Sequence, residues 1–202
     1  MARKRKYELK ARAAAQEETR RRITEATVGL HLEVGPAKTT ISEVAKRAGV
    51  QRLTVYNNFP DEASLLGACS AHWLGQHPPP DPGTWQSIRD PVRRARTALT
   101  ALYRYYRETE QMTANVLRDA QTMPALAAIL EHGRGAFVGA VRDDLASAWE
   151  RGGPANAKLR AALGVTIRFE TWRALARDEG MNDEEAADLA IAMARGARSS
   201  GP

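Results

Sequence analysis

The sequence predicts an all-α protein, and three observations carry that expectation. Only 6% of the 202 residues are aromatic and β-branched runs are scarce. No stretch alternates apolar and polar residues with the two-residue period of a half-buried strand. Apolar residues recur instead at three- and four-residue intervals, the pattern of helices with one buried face. At 43% hydrophobic content the chain can bury a substantial core, as one large domain or two small ones.

From Glu17 to Val34 the apolar stripe Ile23, Ala26, Leu30, Val34 predicts a helix that Gly35-Pro36 stops. Thr40 followed by Glu43 fits a capping box opening a short helix through Ile41, Val44, Ala45 and Ala48. Gly49 supplies the left-handed residue that ends it, with Val50 turned inward at the corner. The next helix starts near Gln51, buries Val55 and Phe59, and stops before Pro60; Asp61 caps a fourth carrying Leu65, Leu66, Ala68, Cys69 and Trp73. The stretch HPPPDPG, residues 77–83, cannot sit inside a helix and marks a domain seam. Beyond it, Asp90-Pro91 caps a helix with the stripe Val92, Ala95, Leu99, Leu102, Tyr106, and a shorter one spans Met112 to Thr122. Pro124 begins a long helical segment reaching Trp149 and terminated by Gly152-Gly153-Pro154, in which Gly133 and Gly135 mark either a kink or the close approach of another helix. Asn156 caps a helix reaching Arg177, and Asn182 with Glu185 caps the last, ending near Gly196 before a tail, RSSGP, expected to be disordered. The chain contains no internal repeat.

Charge is unevenly placed. Of the net +6, residues 1–60 carry thirteen lysines and arginines against six acids, a surplus of seven that leaves −1 for the remainder. An excess concentrated in the first third suits a polyanionic partner. No apolar run approaches the roughly 18 residues of a membrane span, and the basic opening MARKRKYELK leads into more charge, unlike a signal peptide, so no membrane association and a cytoplasmic location are expected. The single cysteine, Cys69, allows no internal disulfide and suits a reducing compartment. Cys69, His72 and His77 fit no zinc spacing, His31 and His132 stand alone, and there is no G-x-S-x-G, H-E-x-x-H or phosphate-cradling glycine loop. Neither catalysis, metal nor cofactor is expected.

Two short helices joined by a glycine corner under a long helix describe a helix-turn-helix. With Val50, Val55 and Phe59 facing the core, Gln51, Arg52, Leu53, Thr54, Tyr56 and Asn57 fall on the outer side. Arg52 can pair bidentately with guanine, Gln51 or Asn57 with adenine, and Leu53 can rest on a thymine methyl. Thr39, Thr40, Lys46, Thr54 and Tyr56 suit phosphate contacts, which set register.

The stretch TTISEVAKRAGVQRLTVYNNFPDEASLL, residues 39–66, resembles the DNA-binding domain of TetR-family transcriptional regulators, through Thr40-Ile41, Val44-Ala45, Ala48-Gly49-Val50, Thr54-Val55-Tyr56, Phe59-Pro60 and Leu65-Leu66. The likeness covers roughly the first 75 residues. It implies a homodimer on a palindromic double-stranded operator, most often a repressor released by a small-molecule effector. The resulting division is a basic flexible arm at 1–15, a three-helix helix-turn-helix DNA-binding domain at 16–75 and a helical effector-binding and dimerisation domain at 76–202. Tyr103, Tyr106, Met112, Asn115, Arg118, Met123, Phe137, Arg168, Phe169 and Trp172 are candidates to line an effector cavity, and Leu163, Ile167, Leu189, Ala190 and Met193 to form a dimer seam. Two departures stand out: Glu62 occupies a position where the family carries a phosphate-touching lysine, and Leu53 one usually small. The basic residues Arg3 to Arg12 can compensate along the DNA backbone or in a minor groove. The competing readings are a helical small-molecule carrier or enzyme without DNA binding, and a nucleoid-type nonspecific binder.

Overall fold

A computed structural model describes residues 2–150 and 157–199. All regular structure among these residues is helical: α1 (Ala2–Glu33), α2 (Ile41–Ala48), α3 (Arg52–Asn58), α4 (Glu62–Gln76), α5 (Gly83–Gln86), α6 (Pro91–Glu108), α7 (Glu110–Asp119), α8 (Pro124–Leu130), α9 (Ala136–Glu150), α10 (Ala157–Thr166), α11 (Phe169–Arg173) and α12 (Asp183–Ser199). They form two compact units, one of Met1–Pro78 with Ala114–Ile129, the other of Pro79–Thr113 with Leu130–Pro202. No helix among the described residues is long and apolar enough to cross a membrane.

In the first unit α1 packs against α2 and α4. Ile23, Ala26, Leu30, Val44, Ala45, Ala48, Val55, Phe59, Leu65, Leu66 and Cys69 make its core. The basic arm expected at 1–15 is instead helical, since α1 runs from Ala2; its alanines and long charged residues are all good helix formers. Val34 lies past the end of α1 and is 40% exposed, so it leaves the buried stripe assigned to it. The chain turns at Gly35, whose φ of +91° favours glycine and whose missing Cβ leaves room for the Arg118 and Asp119 side chains. Residues from α7 satisfy the open end of α1. Asn115 Nδ2 donates to the carbonyls of His31 (3.0 Å) and Leu32 (2.9 Å), and Asp119 accepts from the Ala37 amide at 2.9 Å.

His31 is buried beside this junction, and burial drives its pKa down to about 4, only partly opposed by the Asp119 charge. The unfolded chain takes up this proton below about pH 6.5, the folded chain only near 4, so stability falls as pH drops through that window. The expected loss at pH 5 is about 2 kcal/mol relative to pH 7. Urea unfolding at both pH values checks this; a His31→Leu chain should lack that share of the dependence.

The second unit has its core in Trp85, Leu99, Leu102, Tyr103, Tyr106, Leu145, Leu159, Leu163, Ile167, Phe169 and Trp172. Two expected long helices are interrupted. The segment from Pro124 contains a π-helical turn at Glu131–Gly135, where a Cβ on Gly133 would meet nothing within 4 Å. The glycines therefore accompany a widened turn, and close approach of a neighbour is not the reason for Gly133. The helix expected to reach Arg177 breaks at Ile167–Arg168, with Arg168 extended at φ −80°, ψ 149°. The phenols of Tyr103 and Tyr106 donate to the carbonyls of Thr166 and Ile167, each at 2.7 Å, and so satisfy acceptors that the break exposes. Asn182 and Glu185 form their capping box, but α12 continues past Gly196 to Ser199. Gly152, Gly153, Pro154 and Asn156, and the tail beyond Ser199, lie outside the described residues.

Candidate nucleic-acid interface

Local sequence fixes the α2–α3 corner. Thr40 accepts from the Glu43 amide at 3.2 Å while Glu43 reaches back to the Thr40 amide at 3.2 Å, completing the capping box. Gly49 ends α2 in the left-handed region at φ +65°, its amide bonded to the Lys46 carbonyl at 3.3 Å. Val55 and Phe59 are buried at 0% and 2% exposure, which orients the short α3. Gln51, Arg52, Leu53, Tyr56 and Asn57 consequently face solvent, Leu53 at 65% and Tyr56 at 46%, and Thr54 is half-buried. Leu53 and Tyr56, three residues apart on α3, lie on one exposed side of the helix.

Sequence reasoning missed the clamps on this corner. Arg20 of α1 donates to the Asn58 carbonyl at 2.5 Å and lays its guanidinium 4.1 Å from the Phe59 ring centroid. Arg22 of α1 donates to the Ala48 carbonyl at the end of α2. Arg21 bridges Glu18 and Glu25, and Arg47 pairs bidentately with Glu33 at 2.7 Å. Four cations of the basic first third thus serve the fold, leaving Lys38, Lys46 and Arg52 as exposed cations around the corner. The only signal for the clamps was that α1 must cover the open helix ends, which does not say which arginine does so.

Thr39 and Thr40, assigned to phosphates, already use their hydroxyl hydrogens. Thr39 donates to the Gly35 carbonyl at 2.9 Å and Thr40 to Glu43 at 2.7 Å. As placed, neither hydroxyl has a hydrogen left for a phosphate oxygen. Glu62 lies exposed in the first turn of α4 beside the Asp61 cap, which accepts from the Ser64 amide at 2.7 Å.

The other candidate residues divide between the units. Tyr103, Tyr106, Phe169 and Trp172 form one aromatic cluster, with neighbouring centroids 5.4–6.4 Å apart. Trp172 Nε1 donates to Asp183 at 3.0 Å, and Arg107 pairs with the same carboxylate at 2.8 and 2.9 Å. Met112 is buried in this unit, Phe137 is half-buried and Arg168 is exposed. Asn115, Arg118 and Met123 fall in the first unit, where Asn115 and Arg118 brace the end of α1 and do not join the aromatic cluster. Of the seam candidates, Leu163, Ile167 and Ala190 are wholly buried within the subunit and offer no area to a partner, whereas Leu189 (37%) and Met193 (54%) are exposed, as is Val165 (53%). The buried Cys69 thiol faces the Thr24 carbonyl, His72 meets Gln76 and His77 stacks on Trp73. Burial pushes the thiol up to about 12. No group of three potential metal ligands converges among the described residues.

A bracing helix, a glycine corner and a short outward-facing helix define a helix-turn-helix protein. Residues 23–69 match the family described as bacterial regulatory proteins, tetR family, and the chain has the all-helical fold of TetR-family transcriptional regulators. A transcriptional regulator from Rhodococcus sp. Rha1 is similar over 88% of this chain and 96% of its own (22% identity, TM-score 0.58). A putative TetR-family transcriptional regulator from Syntrophomonas wolfei is similar over 92% and 97% (14% identity, TM-score 0.65). The regulator FadR from Bacillus subtilis, solved in complex with stearoyl-CoA, is similar over 90% and 98% (16% identity, TM-score 0.58). No curated protein sequence matches the chain.

Proposed function

We propose that the protein is a sequence-specific, non-enzymatic transcriptional regulator that binds a palindromic double-stranded operator as a homodimer and is released, as a repressor, when a small molecule occupies its second unit. The observation that carries this reading is the exposure of Gln51, Arg52, Leu53, Tyr56 and Asn57 on α3 while Val55 and Phe59 anchor it. Arg52 and Gln51 read base edges, Leu53 meets a thymine methyl, and Lys46 and Tyr56 hold phosphates. Lys10 and Arg12, both exposed on the N-terminal half of α1, add backbone attraction. Exposed Val165, Leu189 and Met193 supply apolar area for pairing two subunits, α10 and α12 being packed together in each. The stearoyl-CoA complex of FadR supports a small-molecule role for the second unit. Effector binding then changes the separation of the two α3 helices away from the roughly 34 Å that matches one turn of DNA.

Duplex binding across a salt series tests the reading: affinity should fall steeply with salt, as counterion release requires. A helical carrier would show no such affinity, and a nonspecific binder would show it without preferring a palindrome. Arg52→Ala should cost about 1–3 kcal/mol on the operator and relax preference at one base pair of each half-site. Lys46→Ala and Tyr56→Phe should instead weaken all duplexes about equally. Unchanged affinity and selectivity for Arg52→Ala would remove Arg52 from the reading face.

A further inference from the structure

Three arginines of the second unit are paired with carboxylates, and Arg134 is not. Arg107 holds Asp183, Arg177 holds Glu110 with contacts of 2.5 to 3.2 Å, and Arg94 holds Asp144 at 3.2 Å. Arg134 has no carboxylate within 4 Å among the described residues, and its Nη2 is enclosed without any hydrogen-bond partner. Its guanidinium lies 5.6 Å from the Tyr106 ring centroid. Arg134 opposes the upward push that burial gives both neighbouring phenols, by its charge at Tyr105 and by its charge and a hydrogen bond at Tyr106. A ring face offsets only part of what an enclosed cationic donor loses on leaving water.

Arg134 sits inside the π-helical turn Glu131–Gly135, an irregularity that costs regular hydrogen bonding and is frequent at functional sites. The turn is exposed on either side of Arg134, and a Cβ on Gly133 would meet open space, so approach from solvent is not blocked there. Arg134 as a whole is half-buried, while its Nη2 is enclosed. Tyr105 is half-buried with its ring 6.1 Å from that of Tyr106, so it is the less covered of the two rings.

We propose that Arg134 is the anchor for an effector bearing a carboxylate, whose aromatic or apolar body lies along the half-buried Tyr105. The inference rests on the reading of the second unit as the effector-binding part of a regulator. A planar carboxylate matches the guanidinium fork in two parallel hydrogen bonds, and a ring or alkyl chain matches the Tyr105 face.

The test uses the full chain, its Arg134→Met and Arg134→Lys variants, and matched pairs of probes: benzoate and benzamide, phenylacetate and phenylacetamide, octanoate and octanamide. Melting temperature is read for each, alongside binding of the unaltered chain to duplex DNA. Without ligand, Arg134→Met should melt at or above the original temperature, because an unpaired enclosed charge has been removed. At least one carboxylate should raise the melting temperature of the original chain while its amide does not, and Arg134→Met should weaken that probe's binding at least tenfold, Arg134→Lys less. The proposal is overturned if Arg134→Met melts several degrees lower, if amides act as well as acids, or if no carboxylate shifts the original chain. If duplex binding persists in those cases, only the anchor is wrong; if the unaltered chain fails to bind duplex DNA at all, the regulator reading itself fails.

Discussion

Phe59→Ala should destabilise the first unit by about 3–5 kcal/mol and remove operator binding with it. Phe59 is 2% exposed, closes the end of α3, and supports the Arg20 guanidinium at 4.1 Å. Truncation opens a cavity and leaves Arg20, which also holds the Asn58 carbonyl, without its platform. Urea unfolding followed beside duplex binding checks the link between packing and function. Leu53→Ala is the informative contrast. Its side chain is 65% exposed, so stability should change by no more than about 0.5 kcal/mol, while operator affinity falls. If Phe59→Ala kept both stability and binding, α3 would not be held as described.

Arg94→Met should be as damaging to the second unit, at about 3–5 kcal/mol, because it strands the largely enclosed Asp144 carboxylate together with two backbone acceptors. Arg94 is only 4% exposed. Its Nε donates to the Ile88 carbonyl at 2.9 Å, another nitrogen to the Gln86 carbonyl, and Nη1 to the Asp144 carboxylate at 3.2 Å. Trp85 Nε1 donates to the same carboxylate at 3.1 Å, so one network pins α5 and the start of α6 to α9. Tryptophan fluorescence during denaturant unfolding reads the loss. An Arg94→Met, Asp144→Leu double variant should recover part of it, since no charge is then stranded; recovery absent from the double variant would mean that the backbone acceptors, not the carboxylate, dominate the cost.

The helix-turn-helix was legible because its determinants are local. Thr40 and Glu43 cap across three residues, Gly49 takes a conformation that glycine favours, and Val55 and Phe59 share one helical face. Long-range polar contacts were not legible. Nothing in the order of residues says that Arg20 and Arg22 turn inward to clamp α3 and α2, while Lys46 and Arg52 face out. The same limit explains the reassignment of Asn115 and Arg118, whose types suit a ligand but whose positions put them against the end of α1. Periodicity also overstated helix length. The stripe through Leu159, Leu163 and Ile167 continues across a break that two distant tyrosine hydroxyls stabilise. Leu163, Ile167 and Ala190 belong to a face that is apolar because it is already covered inside the subunit; only exposure distinguishes them from Leu189 and Met193. Arg134 carried no sequence signal beyond its two flanking glycines.

In a dimer on its operator, α3 should read bases once in each half-site. The most direct measurement is selection of bound duplexes from a randomised pool, done in parallel with the original chain and Arg52→Ala. The expected result is an inverted repeat whose half-site centres are about one helical turn apart, with Arg52→Ala losing preference at one symmetry-related pair of positions and keeping the rest. Recovery of no repeat, or of identical preferences from both proteins, would contradict it.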